Sequence, residues 1–296
     1  MISQSKFNIW IMASRPKTLP AAITPVLVGS ALAQYSDSFK ILPALSCILG
    51  ALLLQIAANM ANDYYDFKKG TDPIDRIGPI RVTASGLLSP RELISGLMGV
   101  LLLSVLNGLY LIWIGGIVIL IIGIMSIASL MAYSGLRVSY GYHGFGDIFV
   151  FVFFGLLAVN GTYFVQVDQF DSIAIWSSLP SGFLITAILV VNNYRDIDTD
   201  AKTGKRTLAV ILGRKNTRKY FQLLFLLSYL DLVFLYINFD LSEFILLPFL
   251  TIPLSYRLYS ALSGTIDGPK LNIVLADTAK LGLYFSLLFS LGFILP

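Results

Sequence analysis

Apolar runs of roughly 17 to 22 residues, separated by short polar stretches, recur along almost the whole chain. Each is long enough to cross the hydrocarbon of a bilayer as a helix, and none alternates with the two-residue period of a barrel strand. Lipid offers the backbone no water to bond, so helices that satisfy their own N–H and C=O groups are the architecture such runs permit. Hydropathy windows predict spans at 18–35, 41–61, 93–114, 117–134, 147–167, 175–191, 220–238, 244–262 and 276–295. The expectation is an all-α, polytopic membrane protein of about nine transmembrane helices forming one domain over residues 1–296. Composition agrees, since 56% of the residues are apolar and only 13% are charged, which excludes a soluble domain.

Pro20, Pro25, Pro248 and Pro253 fall in or beside these spans and predict kinks, because neighbouring helices can satisfy the freed carbonyls. No small-residue cleavage site follows the first apolar stretch, so it is read as a retained span and not as a secretory peptide. Cys47, the single cysteine, sits in an apolar run and reads as a small buried hydrophobe.

The charges test the span count. With nine spans, every one of the 21 Lys and Arg residues except Lys40 falls on one side. By the positive-inside rule that side is cytoplasmic, which places the N-terminus inside and the C-terminus outside the cell membrane. The same bias accounts for the net charge of +4 without a nucleic-acid partner.

Two polar clusters interrupt the apolar pattern. Asn62-Asp63-Tyr64-Tyr65-Asp66 follows the second span, and Asn192-Asn193-Tyr194-Arg195-Asp196-Ile197-Asp198-Thr199-Asp200 follows the sixth. Ionised groups at a membrane boundary are functional by default. Four spans separate the clusters, so both face the cytoplasm, which fits a pseudo-repeat of helices 1–4 and 5–8 plus a ninth helix around a central cavity.

Asn62 and Asp66 lie one helical turn apart. If the chain stays helical past Asn192, then Asn192, Asp196 and Asp200 also share a face. Oxygen ligands without Cys or His favour a hard cation such as Mg²⁺. His143, the only histidine, reads as structural or interfacial. Lys68, Lys69, Arg76 and Arg81 follow the first cluster, and Arg195, Lys202, Lys205 and Arg206 accompany the second. Acids mixed with cations suit a metal-bound diphosphate, although topology alone also gathers Lys and Arg here.

The stretch from Asn62 to about Glu92 reads as a long loop, punctuated by glycine and proline, that caps a cavity. A diphosphate held at this boundary would leave a long isoprenoid tail in the bilayer. Tyr64, Tyr65, Tyr133, Tyr140, Tyr142 and Tyr194 could stabilise an allylic cation through their ring faces, or serve as an ordinary aromatic belt. A cation-coupled transporter is the alternative from another class. It calls for ionisable residues near mid-bilayer, where Asp231 is the main candidate.

Asn62-Asp63-x2-Asp66 and Asp196-x3-Asp200 resemble the two Asp-rich motifs of the UbiA superfamily of intramembrane aromatic prenyltransferases. The first motif departs at its last Asp, where Gly70 stands and the next acid is Asp72. The run from Asn62 through Asp72, with Asp75-Arg76-Ile77-Gly78-Pro79, is similar to the branch that prenylates 1,4-dihydroxy-2-naphthoate in menaquinone synthesis. Arg15-Pro16-Lys17-Thr18-Leu19-Pro20 and Tyr140-Gly141-Tyr142-His143-Gly144-Phe145-Gly146-Asp147 are similar to that branch too.

The resemblance implies a nine-helix bundle, a polyprenyl diphosphate donor, Mg²⁺, and a naphthoate acceptor that loses CO₂ to give demethylmenaquinone. Another acceptor such as 4-hydroxybenzoate is the alternative within the superfamily. Asn62, Asp66, Asn192, Asp196 and Asp200 would hold the metal, with Asp63 and Asp72 as helpers, and Asp66, Asp196 and Asp200 are the implied catalytic carboxylates. Lys68, Arg137, Lys205 and Arg206 would offset the charge of departing diphosphate.

Overall fold

The structure, a computed structural model, describes residues 5–71, 78, 80–135 and 139–295. A short helix, α1 (Lys6–Ser14), starts at Ser5, whose side chain accepts from the Asn8 amide. It buries Ile9 and Ala13 against Ala57, Met60 and Ala61 of α3. The chain then breaks at Arg15, and Pro20 occupies the first turn of α2 (Pro20–Tyr35), where a missing N–H leaves no bond unmade. α3 (Ile41–Lys69) and α4 (Pro90–Ser134) follow, the latter opened by a capping box between Ser89 and Glu92.

α4 runs for 45 residues, yet Gly116 has φ 59° and ψ −146°, backbone that only glycine adopts without strain. The chain turns back there. Leu93 and Leu97 of the first arm and Leu130 of the second pack into one cluster with α3, which makes α4 a helical hairpin.

The fifth span, Gly146–Val167, joins α5 (Gly146–Val150) to α6 (Ala158–Val167) through a π-helical stretch, Phe151–Leu157. α7 (Ser172–Arg195) leads into the short α8 (Ile197–Lys202) and then α9 (Leu208–Asn238), which bends at Gly213. A 3₁₀ stretch, Glu243–Thr251, runs into α10 (Ile252–Gly264), and α11 (Gly268–Ile294) closes the bundle.

Seven of these stretches are long and apolar enough to cross a membrane. The two arms of α4 count separately, and the 16-residue α2 adds a shorter apolar helix, in keeping with the expected count of about nine, taken among the described residues. Residues that would all face lipid in an isolated helix instead interlock. Tyr163, Tyr194, Phe221, Phe285 and Phe289 are fully buried where α6, α7, α9 and α11 meet. α7 approaches the fifth span so closely that a Cβ on Gly155 would lie 2.7 Å from Gly182 Cα.

The helices overrun their hydropathy limits, most of all at four ends. The expected loop beginning at Asn62 is instead helix as far as Lys69, where Gly70 (φ 66°) supplies a left-handed cap. The sixth span continues to Arg195, the seventh starts at Leu208 and the ninth at Gly268. Hydropathy marks where lipid ends, while backbone hydrogen bonding and tertiary contacts carry a helix on into the aqueous boundary. The first acidic cluster is therefore presented on rigid helix and not on a loop.

Candidate active site

The polar end of α3 presents Gln55, Asn59 and Asn62 along the wall of a cavity of ≈ 430 Å³. Asn59 Nδ2 donates to Ser14 O and Thr18 Oγ1, both at 3.0 Å, and docks the turn that carries Arg15 onto the cavity mouth.

Asp63 and Asp66 point to different tasks. Asp63 Oδ2 accepts the Val82 amide at 3.0 Å, so this carboxylate fastens the 80–89 segment to α3. Asp66, only 1% exposed, gathers donors from three other parts of the chain. Arg81 Nη2 and Lys205 Nζ each lie 3.1 Å from Oδ2, and the Tyr142 hydroxyl donates to Oδ1. With its amide nitrogen facing Asp66, Asn62 adds contacts of 2.9 and 3.2 Å. Lys69 and Lys205 also sit over the ring of Tyr142, 4.8 and 4.7 Å from its centroid, as cation–π partners.

The second cluster is organised by Arg195. Its Nε and Nη2 grip Asp196 at 2.7 and 2.6 Å, Nη2 also donates to Asn192 Oδ1 at 2.9 Å, and Nη1 donates to Asn272 Oδ1 at 2.8 Å. α7 is capped at Asp196, yet bonding from Asp196 N to Asn192 O and from Asp200 N to Asp196 O continues into α8. The backbone thus steps from Asn192 through Asp196 to Asp200 at helical spacing across a local interruption at Asp196, where φ is −94° and ψ 7°. Lys205 N donates to Asp200 O at 2.9 Å, closing the turn that sends the Lys205 side chain across to Asp66.

The cavity mouth carries Arg15, Asn62 and Asn192. An aromatic wall follows. Tyr140 stacks on Phe149 with ring centroids 3.9 Å apart and meets Tyr133 edge-on at 5.4 Å. Burial pushes the Tyr140 phenol up to about 12 against the opposing bond to Ser129, so it stays neutral at working pH. Beyond this wall the lining is mainly apolar, with Val26, Cys47 and Ile119 beside the polar Ser104, Asn107 and Thr162.

Of the residues singled out in the sequence, Asn62 and Asn192 line the cavity, and the buried Asp66, Asp196 and Lys205 stand beside them, Asp66 bonded to Asn62 and to Lys205, and Asp196 joined to Asn192 through Arg195. Asp200 is half-buried. Lys68 and Arg206 are exposed, and the Arg206 amide donates to Tyr142 O. Asp72 and Arg137 lie outside the described residues. His143 bonds Ser139 O through Nδ1 at 2.7 Å, a structural role as expected. Asn272 was missed. It belongs to neither polar cluster in the sequence, and only the fold shows that α11 begins early enough to bring it to Arg195. Among the described residues no three acidic, His or Cys side chains already form a metal cage, because the central carboxylates hold protein cations.

A helical bundle with paired Asn/Asp clusters at the mouth of an apolar cavity defines an intramembrane prenyltransferase class, and residues 22–270 match the UbiA prenyltransferase family. The chain belongs to that family. Its curated relatives include the 1,4-dihydroxy-2-naphthoate octaprenyltransferase of Haemophilus influenzae, 37% identical over 298 residues that cover 98% of this chain and 97% of the relative. The enzyme of the same name from Escherichia coli K12 is 38% identical over 298 residues, covering 98% and 96%. Among solved structures, a UbiA homolog from Archaeoglobus fulgidus bound to GPP and Mg²⁺ shares the fold at a TM-score of 0.69 and 16% identity, covering 97% of this chain and 99% of that one.

Proposed function

We propose that this protein transfers a polyprenyl group from polyprenyl diphosphate to 1,4-dihydroxy-2-naphthoate, with loss of CO₂ and diphosphate, to give demethylmenaquinone. One observation supports this reading above the others: the Asp66–Lys205 ion pair joins the two polar clusters, whose Asn62 and Asn192 open onto a mainly apolar cavity. Such clusters suit a polyanionic head, and such a cavity suits an isoprenoid tail. The near-complete alignment with naphthoate octaprenyltransferases supports the acceptor.

The donor set fits Mg²⁺, because Asn62, Asp66, Asn192, Asp196 and Asp200 offer oxygen ligands, and Asp66 and Asp196 already gather cations. Asp63 supports the set from behind through Val82. When bound, Mg²⁺ would neutralise diphosphate oxygens and ease departure of the leaving group. Lys205 and Arg81, released from Asp66, are placed to pair with the diphosphate, while Lys68 and Arg206 at the exposed rim draw it in. The faces of Tyr133, Tyr140 and Phe149 line the route along which positive charge develops on the allylic carbon. The naphthoate ring then attacks that carbon, and a dry aromatic wall keeps water from capturing it first.

The polar mouth faces the cytoplasm of the cell membrane in this reading, and the whole chain acts as one domain built on two four-helix halves and a ninth helix. The test is an assay on membranes containing the protein, with labelled polyprenyl diphosphate, 1,4-dihydroxy-2-naphthoate and Mg²⁺. Labelled prenyl naphthoquinol and released CO₂ are expected. Failure with the naphthoate combined with transfer to 4-hydroxybenzoate overturns the acceptor assignment. Asp66→Asn and Asp196→Asn should each nearly abolish turnover in a folded protein, and wild-type rates in either refute the shared site.

A further inference from the structure

α10 and α11 diverge beside the connection at 265–267 and leave a second cavity of ≈ 370 Å³ on the outer flank of the bundle. Leu254, Leu258 and Val274 form its floor, and Arg257, Lys270 and Asp277 its rim. α11 serves two sites with two faces. Asn272 bonds Arg195 and Leu275 lines the main cavity, whereas Lys270, Val274 and Asp277 face the groove. The groove therefore lies outside the catalytic mouth but at the same end of the bundle.

The charges there do not cancel. Asp277 is already paired with Lys280 at 2.8 Å. Lys270 meets Asp267 only at 3.9 Å, with both side chains largely exposed, a pairing of little strength. Arg257 is exposed and makes no hydrogen bond or ion pair among the described residues. Two cations thus overhang an apolar floor. Arg257 stands seven residues before the end of α10, about 10 Å along the axis, at the depth where headgroups meet acyl chains. A cation there attracts anionic lipid, and a zwitterionic headgroup would bring its own positive charge against both side chains.

We propose that this groove binds an anionic phospholipid, its phosphate held between Arg257 and Lys270 and an acyl chain laid along Leu254, Leu258 and Val274. The site is independent of the reaction assigned to the main cavity. Native mass spectrometry of the full chain in detergent, offered equal phosphatidylglycerol and phosphatidylcholine, tests it. The wild type should retain phosphatidylglycerol selectively. Arg257→Gln and Lys270→Gln should each lower that retention about fivefold, and the double variant should lose the preference. Asp277→Asn should move retention the other way, which keeps the test decisive if the double variant folds poorly. Equal retention of the two lipids overturns the proposal, as does retention unchanged in both the double variant and Asp277→Asn. Displacement by inorganic phosphate alone points to an ion site and overturns it too.

Discussion

Lys205 Nζ lies 3.1 Å from Asp66 Oδ2, an ion pair between residues 139 positions apart that links the loop after α8 to the end of α3. Asp66 keeps Arg81, Tyr142 and Asn62 when Lys205 is removed, so the fold should persist while a positive donor at the mouth is lost. Lys205→Gln is expected to lower kcat/KM by about 10²-fold or more, the scale of losing one preorganised donor. Because the ammonium competes with any metal for Asp66, the variant should also saturate at lower Mg²⁺ concentration. Steady-state kinetics across a Mg²⁺ titration read both effects. An unchanged Mg²⁺ response removes Lys205 from the site.

Asp63 distinguishes a supporting carboxylate from a ligand. Its Oδ2 accepts the Val82 amide at 3.0 Å, with Val82 itself fully buried. Asp63→Ala leaves that N–H without its partner and should destabilise the protein by about 1–3 kcal/mol. An amide oxygen can accept the same bond, so Asp63→Asn should restore both melting temperature and turnover. Thermal unfolding in detergent alongside rate measurement separates the roles. If Asp63 ligated Mg²⁺ directly, Asn would restore stability and leave the rate low.

These two neighbours also show what a sequence can convey. The bundle was legible because lipid permits so few backbones, and the paired clusters were legible because carboxylates are rare in such surroundings. Asp63 and Asp66 look alike in a string, however, and only the folded 80–89 segment gives one a backbone amide and the other a guanidinium. Lys205 differed from Lys68 in nothing visible before folding, yet one is drawn over Tyr142 onto Asp66 while the other stays at the surface. Asn272 carried no local signal at all, since its role depends on α11 beginning at Gly268.

Arg195 is the hub of the second cluster, with contacts to Asp196, Asn192 and Asn272 and a side chain that is 0% exposed. A lysine at this position keeps the charge but cannot reproduce a planar fork that reaches α11 and grips Asp196 at once. Arg195→Lys should therefore forfeit about 1.5–3 kcal/mol for each charged hydrogen bond it fails to replace. The expected readout is a lower melting temperature together with a clear fall in turnover. Asn272→Leu should weaken activity in the same direction by less, because only one of the contacts is lost. Wild-type behaviour of Arg195→Lys would mean that charge alone matters there.

Cys47 lies in the wall of the main cavity, 15 residues before Asn62 on the same helix, which sets it about 22 Å from the polar mouth. A donor with one or two isoprene units can keep its diphosphate at Asp66 without reaching that depth. A long tail bound along the cavity must pass it. Cys47→Phe adds bulk where Val26 and Ile119 leave the lining apolar, so KM should rise and turnover fall for long-chain donors while geranyl diphosphate is used almost as before. Assaying one enzyme preparation with donors of increasing length gives the comparison directly. Equal losses at every length would place the tail outside this cavity and leave a general packing defect as the effect of the substitution.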